Sequence, residues 1–226
     1  WKTYYATTFN PARIKLKAMR KEMPVRFWKN LPETQQIDGL LQEAPQRMEA
    51  MMKCQPKAVS AADYVPVARS LPQLREAVQS CKGCDLCCNA TQAVFGEGAA
   101  HAKLMFISEQ PGDQEDLAGR PFVGPAGRLM DEVLEEIGLD RKLIYLTNAV
   151  KHFKFEQRGK RRMHATPNAR EVNACRPWLE AEIEAIKPPM IVCLGATAAK
   201  SLMGNAFRIT QSRGKVFNDQ PWAPWL

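Results

Sequence analysis

The sequence predicts an α/β fold: a three-layer αβα sandwich with a central, mostly parallel sheet, preceded by an N-terminal helical segment. Two observations carry this prediction. Short, uninterrupted apolar runs are typical of strands buried on both faces, and longer stretches with apolar residues at helical spacing alternate with them. Because such strands are joined most readily through a helical crossover, this alternation favours a parallel sheet covered by helices.

Three apolar runs supply the predicted strands, at residues 104–107, 143–146 and 190–194. The predicted helices span residues 126–137, 170–186 and 195–203, and the first of them stops at Gly138 because glycine commonly ends a helix. Five apolar residues are expected to share one face of the 126–137 helix. They are Leu129, Met130, Val133, Leu134 and Ile137.

The region before the first strand divides into three parts. Residues 1–52 are basic and helical in pattern, and we interpret them as the C-terminal piece of a separate helical domain. Residues 53–69 lack periodicity and predict a linker. A helix is then predicted from Ser70 to Cys81, and residues 70–226 form the α/β domain.

The composition narrows the classes of partner. The net charge of +8 favours an anionic partner, of which nucleic acid is the commonest. No apolar run reaches the roughly 18 residues that a membrane helix needs, so we expect no contact with a membrane.

The carboxyl ends of the predicted strands locate the expected binding site. In open α/β sheets, ligands bind in the crevice outside these ends. The rule points to residues 108–112, 147–152 and 195–197. The first segment is a Pro-Gly loop, and the second carries the amide of Asn148, which offers both an acceptor and donors.

The cysteines indicate a metal or iron–sulfur site. Four of the seven cysteines lie between residues 81 and 88. Because we expect no secretory signal, we interpret the clustered thiols as metal ligands rather than as a disulfide framework.

Three motifs at the predicted strand ends carry a family resemblance. They read Ser-Glu-Gln-Pro-Gly at 108–112, Gly-Arg-Pro-Phe-Val-Gly-Pro-Ala-Gly at 119–127 and Leu-Thr-Asn-Ala-Val-Lys at 146–151. From about residue 81 to residue 215 the chain resembles the family 4 uracil-DNA glycosylases. The Glu-Gln pair and Lys-Arg-Arg-Met-His at 160–164 resemble the subgroup named UdgX, although Ser108 stands where that subgroup usually has Gly.

The resemblance implies roles for the residues of the strand-end motifs. Phe122 would stack on a flipped uracil, and Asn148 would read the edge of the base. Gln110 and the loop backbone up to Gly112 would contact the base as well. Glu109 would be catalytic, by polarising water or by positioning a histidine.

The segment at 160–164 lies in a predicted long loop, residues 153–167. The cationic side chains of Lys160, Arg161 and Arg162 suit DNA phosphates. By resemblance, His164 would be the second catalytic residue, attacking C1′ of the sugar and remaining attached to the DNA. A neutral imidazole is a competent nucleophile near pH 7.

The resemblance also implies a 4Fe–4S cluster. Cys81, Cys84 and Cys175 match three of the family's ligands. His152 stands where relatives have the fourth cysteine, and imidazole can replace thiolate at iron. Cys87 is the alternative fourth ligand, because Cys81, Cys84 and Cys87 also read as a Cys-x2-Cys-x2-Cys run.

The sequence therefore predicts a uracil-DNA glycosylase that removes uracil from single- or double-stranded DNA. The alternatives are a uracil-DNA binding or damage-sensing module without excision, and an electron-transfer iron–sulfur protein. We expect a monomer that acts in the bacterial cytoplasm, associated with the nucleoid. The family's His-Pro-Ser motif is not found, so we expect the domain to be truncated at its C-terminal end and its activity to be weakened.

Overall fold

The computed structural model describes residues 60–67, 70–158 and 161–218, all of which belong to one unit of the chain, residues 56–226. The predicted helical segment 1–52, part of the predicted linker 53–69 and Lys160 lie outside the described residues. Within the described ranges, no helix is long and apolar enough to span a membrane.

The helices and strands follow the predicted alternation. The helices are α1 (Leu71–Ala77), α2 (Asp113–Ala118), α3 (Pro125–Glu136), α4 (Ala169–Ile186), α5 (Ala196–Met203) and α6 (Ile209–Ser212). The strands are β1 (Glu97–Gly98), β2 (Leu104–Ser108), β3 (Ile144–Asn148), β4 (Phe155–Arg158), β5 (Arg161–His164) and β6 (Met190–Cys193). Short 3-10 helices lie at Ala62–Tyr64, Val78–Ser80, Asp85–Cys88 and Arg141–Leu143.

The central sheet has the strand order β1-β3-β2-β6. Strand β2 pairs in parallel with β3 on one side and with β6 on the other, whereas β1 pairs antiparallel with β3. The predicted mostly parallel sheet is therefore confirmed. Its register places Ser108 beside Asn148 at the carboxyl ends of two adjacent strands.

The two faces of the sheet are covered by different helices. Side chains alternate between the faces along a strand. Met105 and Ile107 pack in a core with α4 and α5, while the intervening Phe106 packs in a second core with α3. These three layers confirm the predicted αβα sandwich.

The apolar face of α3 is only partly buried. Leu134 is buried and Met130 is partly buried. However, Leu129, Val133 and Ile137 are 61%, 46% and 64% exposed. Their four-residue spacing forms a stripe beside the buried one, and the sheet covers only the narrower face that contains Leu134.

The predicted loop at 153–167 contains a hairpin instead. Strands β4 and β5 pair antiparallel as a separate two-stranded sheet, with Phe155 opposite His164. Only two residues separate the strands, and Gly159 is the first of them. A glycine in a two-residue connection is the usual sequence signal of a hairpin.

Helix α4 begins with a capping box. The Asn168 side chain accepts from the backbone N–H of Glu171, and the Glu171 carboxylate accepts from the backbone N–H of Asn168. These reciprocal bonds satisfy two donors at the helix start. They fix the first turn of the helix that carries Cys175 and Glu182.

Candidate active site

The carboxyl ends of β2 and β3 hold the proposed base-reading amide. Asn148 is 3% exposed, and its Oδ1 accepts a 2.9 Å hydrogen bond from the Ser108 hydroxyl. The backbone carbonyl of Asn148 accepts a 2.7 Å bond from Lys151 Nζ. The Ser108 hydroxyl therefore holds the buried side-chain amide, and Lys151 holds the backbone that carries it.

Phe122 lies on the same face of the sheet as Asn148. It packs with Leu146 in the core formed against α3, and Leu146 precedes Asn148 by two residues, so both point to that face. Phe122 has φ of +55°, a region that bulky residues rarely occupy. Gly127 makes this turn possible, because a Cβ there would lie 1.9 Å from the Phe122 carbonyl oxygen.

Glu109 lies between two side chains from distant parts of the chain. Its Oε2 accepts a 2.5 Å hydrogen bond from the Thr197 hydroxyl at the start of α5. Its Oε1 lies 3.3 Å from Nε2 of His164 on the hairpin. His164 is about half exposed, so its ring can be reached from solvent. The structure thus brings together the two residues predicted to be catalytic.

Gln110 fastens the base of the hairpin. Its Nε2 donates to the backbone carbonyls of Lys154 and Ala165, at 3.0 and 3.2 Å, and its Oε1 accepts from the backbone N–H of Lys154 at 2.9 Å. The side-chain amide is 6% exposed. It is engaged with the residues that flank β4 and β5, so only its backbone is left to meet a base.

Arg162 is buried in an acidic clamp. Its guanidinium, 9% exposed, donates to the carboxylates of Asp113 and Asp116 and lies over the rings of Phe153 and Phe155. The guanidinium charge of Arg162 is thus paired with two carboxylates and packed against two aromatic rings. Arg161, the preceding residue, is exposed, and the alternation of the strand explains the difference between them.

The glycine-rich segment before α3 is closed by Glu115. This buried carboxylate accepts from the backbone N–H of Gly124 at 2.9 Å, and a Cβ at Gly112 or Gly124 would lie within 3 Å of it. A side chain at either position would have to displace this carboxylate. Glu115 thereby holds the two loops of the predicted pocket together.

A buried polar network joins strand β3 to helix α4. Lys151 and Glu182, both fully buried, form an ion pair. The Glu182 carboxylate also accepts from the Thr147 hydroxyl at 2.8 Å, the Tyr145 hydroxyl at 3.1 Å and the Gly96 backbone N–H at 2.9 Å. Burial and the charge of Glu182 raise the pKa of Tyr145 well above its usual value, so the phenol remains a donor.

Several of these residues were missed by sequence reasoning. Thr197 had a positional signal, because the strand-end rule pointed to 195–197. A buried Lys or Glu within an apolar strand-and-helix pattern is a weaker signal, and nothing in the sequence pairs Lys151 with Glu182. Asp116 was missed for the same reason, since its partner lies 46 residues away.

Three of the predicted ligand cysteines are gathered beside α4. Cys81, Cys84 and Cys175 contribute to one hydrophobic core. Burial raises the pKa of the Cys175 thiol to about 12 and that of Cys84 to about 11, and Cys81 raises both further. Cys81 Sγ accepts a 3.2 Å bond from Trp178 Nε1.

The fourth position has two candidates in the structure as well. The backbone N–H of Lys151 donates to Cys175 Sγ at 3.2 Å, which brings the following residue, His152, close to that thiol. Burial lowers the pKa of His152 to about 4, so its ring is neutral at pH 7 and has a nitrogen lone pair. Cys87 lies within electrostatic reach of Cys81 and Cys84.

Among the described residues, no three His, Cys, Asp or Glu side chains are grouped as for a single metal ion. The thiols of Cys81 and Cys175, both buried, and the neutral imidazole of His152 are donor types that bind iron.

Comparison with known proteins identifies the family. Residues 95–224 match the uracil DNA glycosylase superfamily, which is more than half of the chain. The chain belongs to the uracil-DNA glycosylase superfamily. The matched range includes the Asn148, Phe122, Glu109 and His164 sites. Residues 1–33 match a domain of unknown function, DUF4130.

Three relatives of this superfamily are named type-4 uracil-DNA glycosylase. The protein of Sulfurisphaera tokodaii is 42% identical over 66% of this chain and 66% of its own length. That of Archaeoglobus fulgidus is 39% identical over 68% of this chain and 75% of its own length. That of Thermotoga maritima is 42% identical over 62% of this chain and 69% of its own length. The chain thus spans about two thirds of the first relative's length.

Proposed function

We propose that the protein is a uracil-DNA glycosylase that flips uracil out of DNA and cleaves its N-glycosidic bond, with His164 then bonding to the sugar. The single observation that carries the proposal is the convergence of Glu109 and His164 beside the strand ends that hold Asn148. The relatives' names support excision as the reaction.

Asn148 supports recognition of uracil rather than of any base. Uracil presents N3–H beside the O4 carbonyl, and an amide can accept from the first through Oδ1 and donate to the second through Nδ2. Burial strengthens this pairing and penalises a mismatch, because an unpaired polar group in a closed site is costly. Phe122, on the same face, is available for stacking on the base.

Glu109 and His164 support chemistry at C1′. When the C1′–N1 bond breaks, both electrons leave with uracil and the sugar becomes an oxocarbenium ion. Glu109 is placed to take the proton that Nε2 of His164 carries, and the freed Nε2 electron pair forms the new bond to C1′. The alkylated ring is then neutral, with a free electron pair on Nδ1, and the uracil anion takes up a proton from solvent. Thr197 keeps the carboxylate aimed at the ring.

The hairpin supports DNA binding beside this centre. Arg158 and Arg161 are exposed on it, and Lys160 belongs to the same segment. Such cations bind phosphates without reading sequence. Arg162 serves the hairpin in another way, by anchoring it to α2 through Asp113 and Asp116.

We further propose that Cys81, Cys84, Cys175 and His152 hold a 4Fe–4S cluster, with Cys87 as the alternative to His152. The buried thiols and their N–H donors support this assignment. The cluster would supply a cross-link between the 81–84 segment, the end of β3 and α4. Its role would be structural.

The deciding experiment is incubation of the purified protein with single-stranded oligonucleotides that contain uracil or thymine. We expect release of free uracil and a band that resists denaturing electrophoresis, both only with uracil. His164→Gln should abolish the band, and His101→Gln, the same change at an exposed histidine before β2 and outside the site, should retain it. Binding of uracil-containing DNA without release of free uracil would favour a damage-sensing module. An unchanged band in the His164→Gln protein would exclude His164 as the nucleophile.

A further inference from the structure

The end of β2 places a hydroxyl donor beside the base-reading amide. Ser108 and Asn148 are register partners on parallel strands, so their side chains point to the same face. The Ser108 hydroxyl donates to Asn148 Oδ1 at 2.9 Å.

The strand backbones fix this contact. The Ser108 carbonyl accepts a 2.8 Å bond from the Ala149 N–H, and the Asn148 carbonyl accepts from the buried Lys151 ammonium. Neither strand end can shift to change the distance between the two side chains without breaking these bonds. The hydroxyl is therefore a fixed donor pointed at one atom of the amide.

The orientation of an asparagine amide decides which pyrimidine it fits. With Oδ1 toward N3 and Nδ2 toward position 4, the amide pairs with the N3–H and O4 of uracil. Rotated by half a turn, it pairs instead with the N3 and the N4 amino group of cytosine. An amide free to rotate would accommodate both bases.

Resting on the proposed function, we propose that Ser108 is a specificity-determining residue, which holds the Asn148 amide in the orientation that accepts uracil and rejects cytosine. In the rotated state the hydroxyl would face the Nδ2 donor and would have to accept from it. The hydroxyl hydrogen of Ser108 would then no longer have the Asn148 oxygen as its acceptor. Because Ser108 is half-buried, losing this hydrogen bond costs free energy.

The test measures binding rather than turnover. Single-stranded oligonucleotides carry one 2′-fluorinated deoxyuridine or deoxycytidine, whose fluorine disfavours the oxocarbenium ion and slows cleavage. Dissociation constants for the two give a uracil-to-cytosine preference for each variant. We expect Ser108→Ala to reduce that preference about threefold to tenfold, as expected for the loss of one hydrogen bond. Ser108→Thr, which keeps the hydroxyl, should retain it.

The controls separate specificity from damage to the fold. Ser212→Ala removes a hydroxyl from α6 and should leave the preference unchanged. A Ser108→Ala protein that binds both bases more weakly by the same factor, or that keeps the wild-type preference, would overturn the inference. Wild-type protein with no preference for uracil, and no release of it, would instead refute the proposed function.

Discussion

At the scale of single residues, neighbours in the sequence have different tasks. Arg161 and Arg162 are adjacent cations in a basic segment, and sequence alone assigns both to phosphate binding. The strand turns them to opposite sides: Arg161 faces solvent, and Arg162 is 9% exposed between Asp113 and the fully buried Asp116. A charge that is already paired and buried adds little attraction for DNA.

This difference predicts opposite effects of two matched substitutions. Arg161→Ala should weaken DNA binding and make the salt dependence of binding to single-stranded DNA shallower, by roughly 0.7 in the log–log slope, because one phosphate contact is lost. Arg162→Ala should leave that slope nearly unchanged but lower the free energy of unfolding by about 3–5 kcal/mol, because the Asp116 carboxylate loses its ion-pair partner.

Fluorescence anisotropy at several salt concentrations and urea unfolding measure the two effects. Arg162→Lys serves as a further control, since lysine keeps the charge but cannot match the forked contacts to two carboxylates. If Arg162→Ala flattened the salt dependence as much as Arg161→Ala, the clamp would not be the main task of Arg162.

At the scale of elements, α4 is joined to the sheet by a polar contact within an apolar interface. The Glu182 carboxylate meets Lys151, Thr147 and Tyr145 from the β3 side and the backbone of Gly96 from the β1 side. Each donor is satisfied by one fully buried side chain. Such a network specifies one position of the helix, because any shift leaves several buried groups unpaired.

We therefore expect Glu182→Gln to destabilise the protein by about 3–5 kcal/mol, because the buried Lys151 ammonium loses its countercharge. The matched control is Glu180→Gln in the same helix. Glu180 is about half exposed and pairs with Arg176, so its loss should change the unfolding free energy by at most about 1 kcal/mol. Urea unfolding compares the two, and equal destabilisation would contradict the assigned role of the network.

At the scale of the whole molecule, the sequence predicted the architecture and much of the strand-end site. Uninterrupted apolar runs at 104–107 and 143–146 and the helical spacing between them suffice to predict a covered parallel sheet. The hairpin was missed because it has no apolar alternation. It is held by contacts with distant parts of the chain: Gln110 bonds to its base, and its own Arg162 pairs with Asp113 and Asp116 of α2. The exposed stripe of α3 was missed because periodicity shows which residues share a face, not how wide a face the sheet covers.

The proposed cluster acts at this largest scale, because its ligands come from three distant parts of the chain. If His152 is the fourth ligand, His152→Ala should lower iron and acid-labile sulfide per chain and reduce the melting temperature, whereas Cys87→Ala should change neither. His152→Cys, unlike His152→Ala, should keep the cluster. Its reduction potential should be lower than in the wild-type protein, because a thiolate adds negative charge where imidazole is neutral. Cys193→Ala, which changes a cysteine in β6 outside the proposed set, is the control.

Loss of iron in the Cys87→Ala variant alone would assign the fourth ligand position to the Cys87 thiol. The cross-link would then lie within the 81–87 segment and α4, leaving the end of β3, and with it Asn148, held by Ser108 and Lys151 instead of by iron.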